Sequence, residues 1–213
     1  FNVMIFRDIV ERYSITNVSV LKFFIKKVFS GVTKPFSINK AYNDMRSMGY
    51  KISNKYLYDY FDHCNDIFLC QSLARFDFSE IKQAKSEKKC YVIDTGLLSA
   101  IEFSVSTNMG KLLENMVFME FLKSGIEVFY YKVKHECDFI IKSGGDFLPV
   151  QVAYNVSDKD TRNREVAGLI EACNYLKVNK GLIITFDYEE RLTQSNIEIE
   201  FCPAFKYFLQ HIH

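Results

Sequence analysis

Four positions in the second half of the chain have residue types and spacing from which a cation site could be built. Glu114 lies in a predicted helix and is followed by apolar residues three, four and seven positions on, so its carboxylate faces an apolar side. Burying a carboxylate is costly unless it is paired or coordinated. Asp138 falls in the β-type run CDFIIK, and on the next run Gln151 and Ala153 share one face because side chains alternate along a strand. If they converge, the two acids and the Gln151 amide would bind a single cation.

The elements that must position these residues follow from local patterns. A helix over residues 108–124 ends at Gly125 and precedes three β runs, EVFYYKV, CDFIIK and FLPVQVA. The turn SGGD joins the last two runs, as Gly-Gly favours. Further elements are predicted at 160–176 (helix), 181–186 (strand), 197–201 (strand) and the C-terminus (helix). This order predicts a mixed sheet flanked by helices.

The first 70 residues read instead as three short helices. The first follows Asn17 and ends at Gly31, the second is capped by Ser37, and the third begins at Ser53 or Asn54. We expect Tyr56, Leu57, Tyr60 and Phe61 to form the apolar side of the third helix. Two β-prone runs, IFLCQSLARFDF and KKCYVID, follow, and a hairpin there would make a wing. The pattern predicts a winged helix.

In a winged helix the third helix would face a DNA groove, and basic residues around it would contact phosphates. The candidates are Lys51, Lys55, Arg75 and the lysine-rich segment 82–89. Asp59, Asp62 and Asp66 on the same helix oppose them, and winged helices also serve as protein-interaction modules. DNA contact and partner contact both stay open at this point.

Composition separates the two halves. Of the 213 residues, 27 are Lys or Arg and 26 are Asp or Glu. Residues 1–92 contain 15 basic and 9 acidic residues, whereas residues 93–213 contain 12 basic and 17 acidic residues. A basic module followed by an acidic one suggests different partners. The hydrophobic content of 48% excludes a disordered chain, and the apolar runs are too short to span a bilayer, so we expect no membrane partner.

The cysteines and glycines exclude several classes of site. Six cysteines are widely spaced, without a metal-finger pair or a disulfide framework, which predicts a reducing, cytoplasmic location. The sequence lacks the G-x-x-x-x-G-K-[ST] run of a P-loop, so we expect no ATP site in this chain. Because the chain begins at Phe1, we also expect it to be a piece of a longer protein.

The chain resembles the C-terminal region of a bacterial and archaeal group of AAA-type P-loop ATPases. The stretches that carry the resemblance are FRDIVERYSI, KKCYVIDTGLLSA, MGKLLENMVFMEFLKSGIEVFYYK, HECDFII, LPVQVAY and TRNREVAGLIEA. In that group an uncharacterised region joins a winged helix to a domain of the PD-(D/E)XK restriction-endonuclease-like fold. The resemblance therefore implies an α+β chain with a winged-helix domain at 1–92 and a nuclease-like α/β domain at 93–213.

The resemblance also assigns roles to the four positions. Glu114 matches the helix acid, Asp138 the metal-binding Asp, Gln151 the Glu of E-x-K, and Ala153 its Lys. In an active member the acids would hold Mg²⁺ and the Lys would stabilise charge on the reacting phosphate. This chain has one carboxylate fewer and no Lys at that place, which argues against cleavage.

Other residues are able to replace the missing groups. Lys132, Lys134 or Arg164 would supply a positive charge, and Glu136 a carboxylate. Arg164 would either meet phosphate or neutralise Glu114 and Asp138, which would turn the site into a structural ion-pair network.

Three functions follow. The first is a recognition module for DNA or a partner protein, with a degenerate site. The second is a Mg²⁺-dependent DNA endonuclease that uses Glu114, Asp138 and Gln151 with a displaced base. The third is a protein-binding adaptor without DNA contact.

Overall fold

A computed structural model of the chain describes residues 3, 5–96, 98 and 109–211. The predicted helix start at residue 108 and residues 97, 99 and 100 of the KKCYVIDTGLLSA stretch lie outside the described residues. The chain is mixed α+β and divides into two compact units. The first comprises the described residues of 1–72 and 87–107, and the second those of 73–86 and 108–213. In the part of the chain that is described, none of the helices is long and apolar enough to cross a membrane.

The first unit is mainly helical. It contains a π-helix (Ile5–Glu11), α1 (Val18–Ser30), β1 (Pro35–Phe36), α2 (Ile38–Ser47), α3 (Asn54–Asp66), β2 (Cys70–Leu73, whose last residue is assigned to the second unit) and β3 (Lys88–Val92). The predicted cap Ser37 is confirmed, because its hydroxyl accepts a hydrogen bond from the Lys40 N–H at 3.3 Å. The helix predicted to follow Asn17 is also present, and Asn17 caps it by accepting from the Val20 N–H at 3.2 Å. The three strands form a small sheet in the order β1-β3-β2.

Two expectations for the first unit differ from the structure. Tyr56 is 57% exposed, whereas Leu57, Tyr60 and Phe61 are buried, because the buried stripe of α3 is narrower than the run of apolar residues. The connection between β2 and β3 is not a tight hairpin, since it contains the helix α4 (Glu80–Lys85) and residues 73–86 belong to the second unit.

The second unit is built around a six-stranded sheet. Its elements are α4, α5 (Met109–Lys123), β4 (Glu127–Lys132), β5 (Glu136–Ser143), β6 (Asp146–Ala153), α6 (Lys159–Leu176), β7 (Lys180–Thr185), β8 (Glu190–Gln194), β9 (Ile197–Pro203) and α7 (Ala204–His211). The strand order is β4-β5-β6-β7-β9-β8. Strands β6, β7 and β9 are parallel neighbours, and the other pairs are antiparallel. The mixed sheet flanked by helices is thus confirmed.

The β5–β6 turn of this sheet was predicted from the sequence, whereas the edge strand β8 was not. In the turn, Gly144 and Gly145 adopt φ of +59° and +112°, a region that L side chains rarely occupy. Strand β8 was missed. Its sequence ERLTQ is largely exposed at the sheet edge and lacks the apolar alternation that marks a half-buried strand.

Helices cover both faces of the sheet. Along β5, Phe139 points to the face covered by α5, where its ring lies 6.2 Å from Phe118 and 5.2 Å from Phe121 between centroids. The next residue, Ile140, packs on the opposite face in a core with Leu169 of α6. The sheet therefore separates the side chains beneath α5 from those beneath α6.

Residues 74–78 extend the sheet beyond β4. The Phe76 N–H donates to the Tyr130 carbonyl at 2.7 Å, and the Tyr130 N–H donates to the Ala74 carbonyl at 3.0 Å. The buried Phe76 ring packs edge-on against Phe129, Phe147 and Tyr175. This segment covers hydrogen-bonding groups at a sheet edge that would otherwise be open to another strand.

A carboxylate on α6 holds the loop between β4 and β5. Glu171 accepts hydrogen bonds from the Lys134 N–H at 2.9 Å, the His135 N–H at 3.0 Å and the Tyr131 hydroxyl at 3.2 Å, and lies 2.6 Å from His135 Nδ1. Burial alone would raise the pKa of Glu171, but these hydrogen bonds together lower it. The loop is therefore held best when Glu171 is ionised.

Replacing Glu171 with Gln is expected to lower the free energy of unfolding at neutral pH by about 1–2 kcal/mol. Because the folded-state pKa lies below the ordinary value of 4.5, the ionised group stabilises the fold above that pH and its contribution disappears as the pH falls through the folded-state pKa. Urea unfolding at pH 7 and at pH 3 measures this, and the difference between wild type and variant should shrink at pH 3. The exposed Glu127→Gln is the matched control, and equal losses in both variants would contradict the assignment.

Candidate functional site

The predicted site residues Asp138 and Gln151 lie at the point where strands β5 and β6 separate. The two strands are paired from Ser143 and Asp146 back to Phe139 and Val150, and β6 then continues beside β7 alone. Asp138, the next residue of β5, lies opposite Gln151. We call this point the β5–β6 fork and define it by Asp138, Gln151 and Val152.

Side chains replace the missing backbone pairing at the β5–β6 fork. The Asp138 N–H donates to Gln151 Oε1 at 2.9 Å, and the Val152 N–H donates to Asp138 Oδ2 at 3.1 Å. Asp138 and Gln151 are buried, at 8% and 4% exposure. Each side chain thus satisfies a backbone donor that the separating strands would otherwise leave without an acceptor.

The amide nitrogen of Gln151 is also engaged. Nε2 donates to Oε2 of Glu165, on α6, and makes a long contact of 3.4 Å with the Glu136 carbonyl. Both polar atoms of the Gln151 side chain therefore take part in hydrogen bonds within the protein. A carboxylate at this position would lack the donor that reaches Glu165.

Arg164 neutralises Glu165, the acid on α6. Its guanidinium donates to Glu165 Oε1 from Nε at 3.1 Å and from Nη2 at 2.6 Å. The hydrogen bond to Glu165 raises the pKa of Arg164 most, and the charges of Glu165 and Asp138 raise it further. Glu165 is 8% exposed, while the Arg164 side chain is 68% exposed, so the ion pair runs from the interior to solvent.

A glycine sets the close approach of α6 to the β5–β6 fork. A Cβ on Gly168 would lie 2.2 Å from the Glu136 carbonyl oxygen and 3.7 Å from Gln151 Nε2. Real Cβ atoms do not approach a backbone oxygen this closely. The absence of a side chain at 168 is what lets Glu165, one turn earlier on α6, reach Gln151.

The four predicted site residues lie in different surroundings. Asp138 and Gln151 are in contact, as expected, but Ala153 is buried in the apolar core with Leu169. Glu114 is half-buried on α5, the helix that covers the face opposite to Gln151. Its approach to Asp138 stays a prediction.

The proposed replacement groups have other partners. Lys132 and Glu136, which were candidates for the missing charges, form an ion pair at 2.9 Å with each other. Lys134 contributes its backbone N–H to Glu171 and has an exposed side chain. Arg164 is linked to the β5–β6 fork through Glu165, which accepts a hydrogen bond from Gln151. Glu136 contacts Gln151 through its backbone carbonyl.

The predicted phosphate contacts do not lie on one unit. Lys51 and Lys55 are exposed in the first unit, whereas Arg75 is partly buried in the second. Within the segment 82–89, Lys89 is fully buried, so its ammonium is not at the surface where a phosphate would bind. Lysines 82, 85 and 88 are exposed. The expectation for Lys89 was wrong because it sits inside the buried part of β3.

Glu165 is the site residue that sequence reasoning missed. The signal was present, because Glu165, Gly168, Leu169 and Ala172 follow the three-and-four spacing of a buried helix face. An acid in such a stripe must find a hydrogen-bonding partner.

Among the residues that the structure describes, groups of three or more His, Cys, Asp or Glu that would suit a metal ion are absent.

Comparison with known proteins gives a family match for the second unit. Residues 109–205 match the model of a family described as a domain of unknown function, DUF4143. An uncharacterized protein of Methanocaldococcus jannaschii is 33% identical over 217 residues, which cover 97% of this chain and 48% of that protein. An uncharacterized protein of Haemophilus influenzae is 27% identical over 201 residues, with 93% and 48% covered. The chain thus spans about half the length of these curated relatives.

Proposed function

We propose that this chain is the C-terminal recognition module of an AAA-type ATPase, in which a winged-helix unit and a nuclease-like unit bind DNA or a partner protein without cleaving it. The family match supports the position in the parent protein, because DUF4143 domains typically lie C-terminal to AAA ATPases. The relatives are about twice as long as this chain, which leaves room in them for an ATPase domain.

The observation that carries the proposal is the hydrogen bonding of Gln151. In an active site of this type, the corresponding carboxylate would turn its oxygens toward Mg²⁺. Here Oε1 accepts from the Asp138 N–H and Nε2 donates to Glu165, so the side chain joins β5, β6 and α6. We therefore assign Gln151 a structural role.

Charge at the β5–β6 fork supports the same conclusion. Arg164 forms two hydrogen bonds to Glu165, and the charge of Asp138 also favours its cationic form. A guanidinium that already neutralises the carboxylates takes the role that a divalent cation would have in a nuclease. The site then needs no metal to be stable.

Recognition is divided between the units in this proposal. The first unit presents Lys51 and Lys55 at its surface, and the second presents the exposed guanidinium of Arg164. In a DNA complex these groups would contact phosphates, whereas Arg75 is left partly buried beside β4. DNA contact by these residues is part of the proposal.

Calorimetric titration with Mg²⁺ and Mn²⁺ tests the loss of the metal site. We expect no saturable heat from the wild-type chain with either ion, because Glu165 already accepts hydrogen bonds from Arg164 and Gln151, and Asp138 Oδ2 accepts one from the Val152 N–H. The matched variant is Asp138→Asn, which retains an oxygen that can accept from the Val152 N–H. Saturable binding in the wild type that disappears in Asp138→Asn would overturn the proposal and favour the endonuclease.

A further inference from the structure

A groove in the first unit runs beside helix α3. Its volume is about 640 Å³, which lies within the range of ligand sites. The lining consists of residues 13–17, residues 51–53, Tyr56, Asp59, Tyr60 and His63. We call this feature the α3 groove. It belongs entirely to the first unit and has no residue in common with the β5–β6 fork.

Aromatic rings form much of the α3 groove. The rings of Tyr13 and His63 are stacked, with centroids 3.5 Å apart and planes at 12°. Burial lowers the pKa of His63 despite three nearby aspartates, which favours the neutral imidazole. Tyr56 adds a ring that is 57% exposed. The groove therefore presents neutral π-faces to a ligand.

The charges along α3 select the sign of that ligand. Asp59 lies in the lining, and Asp62 and Asp66 follow it on the same helix. Asp66 accepts a hydrogen bond from the Tyr13 hydroxyl at 3.1 Å, which fixes this ring beside an acid. A carboxylate next to aromatic faces attracts a guanidinium or an ammonium group.

The chain itself shows that a ring of the groove accepts a cation. The guanidinium carbon of Arg12 lies 5.5 Å from the centroid of the Tyr13 ring, within the range of a cation–π contact. A ligand that stacks on the exposed Tyr56 ring and approaches Asp59 would meet the same chemistry. Lys51 also belongs to the lining and would repel a cation placed next to its ammonium group.

From these contacts we infer that the α3 groove binds a positively charged side chain, Arg or Lys, of a partner polypeptide. A nucleotide base would also stack on these rings, but its phosphate would be repelled by the carboxylate of Asp59 in the lining. The charges of α3 thus favour a basic peptide over a nucleic acid at this place. The inference names a class of partner for the first unit, and it rests on observations separate from those at the β5–β6 fork.

Fluorescence anisotropy with the complete chain tests the inference. The probe is a short labelled peptide of alternating arginine and glycine, compared with one that has glutamate in place of arginine and with a labelled single-stranded oligonucleotide. We expect the arginine peptide to bind most tightly. Asp59→Asn and Tyr56→Ala should each weaken its binding about tenfold.

Asp62→Asn is the matched control, because it removes the same charge from an exposed position of α3 outside the groove lining. It should change the affinity by less than about twofold. Thermal unfolding of each variant shows whether the fold is intact, which is expected because Tyr56 is exposed. Equal losses in Asp59→Asn and Asp62→Asn, absent peptide binding, or preferred binding of the oligonucleotide would each overturn the inference.

Discussion

Replacing Gln151 with Glu is expected to lower the free energy of unfolding by about 2–4 kcal/mol and to leave DNA cleavage at background. The new carboxylate would face the carboxylate of Glu165 and would have no proton to donate to it. Oε1 would still accept from the Asp138 N–H, but the contact with the Glu136 carbonyl would become repulsive. A substitution that restores the residue type of an active nuclease thus weakens this fold.

Urea unfolding of the wild type and of Gln151→Glu measures the effect. The control Gln194→Glu makes the same chemical change on the exposed edge strand β8 and should cost less than about 0.5 kcal/mol. Adding Glu165→Gln to Gln151→Glu restores one donor and one acceptor, so the double variant should be more stable than the sum of the single losses predicts.

Cleavage assays with Gln151→Glu/Ala153→Lys complete this test. Ala153 is buried in the core with Leu169, and a Lys there would have to place its ammonium among apolar side chains. We expect no divalent-dependent cleavage from this variant. Unchanged stability in Gln151→Glu together with Mg²⁺-dependent cleavage in the double variant would show that the β5–β6 fork is a latent nuclease site.

The second large effect is expected at Gly168. Gly168→Ala would place a Cβ 2.2 Å from the Glu136 carbonyl oxygen and 3.3 Å from its carbon, and these backbone atoms belong to β5. Moving α6 outward would separate Glu165 from Gln151. Although Ala favours a helix by about 1 kcal/mol over Gly, we expect a net loss of about 2 kcal/mol or more.

Hydrogen exchange distinguishes this mechanism from a general loss of stability. In Gly168→Ala the N–H groups of Asp138 and Val152 should exchange faster than those elsewhere in the sheet, because their acceptors belong to the β5–β6 fork. The control is Gly31→Ala, where the new Cβ would lie at an ordinary 3.4 Å from a Phe36 side-chain carbon. If Gly168→Ala were as stable as the wild type or more stable, the close approach of α6 to the Glu136 carbonyl would be contradicted.

The residues that cap, turn and bury the separate elements were readable along the chain. Asn17 and Ser37 mark helix starts, and the adjacent glycines 144 and 145 mark the β5–β6 turn, because each of these signals acts over a few residues. The residue types on the two β runs also predicted that Asp138 and Gln151 come close together, and they are in contact. Strand β8 escaped prediction because its residues are mostly exposed and its place in the sheet depends on pairing with β9.

The sequence by itself determined the helices, most of the strands and the residue types at the site, since those depend on local periodicity and short-range turn chemistry. Only the tertiary structure decided what the site residues do. Asp138, Gln151 and Glu165 interact because β5 and β6 separate at one point and α6 approaches that point through Gly168. Hydrogen bonds of this kind join three elements distant in the chain, and their geometry follows from how those elements pack.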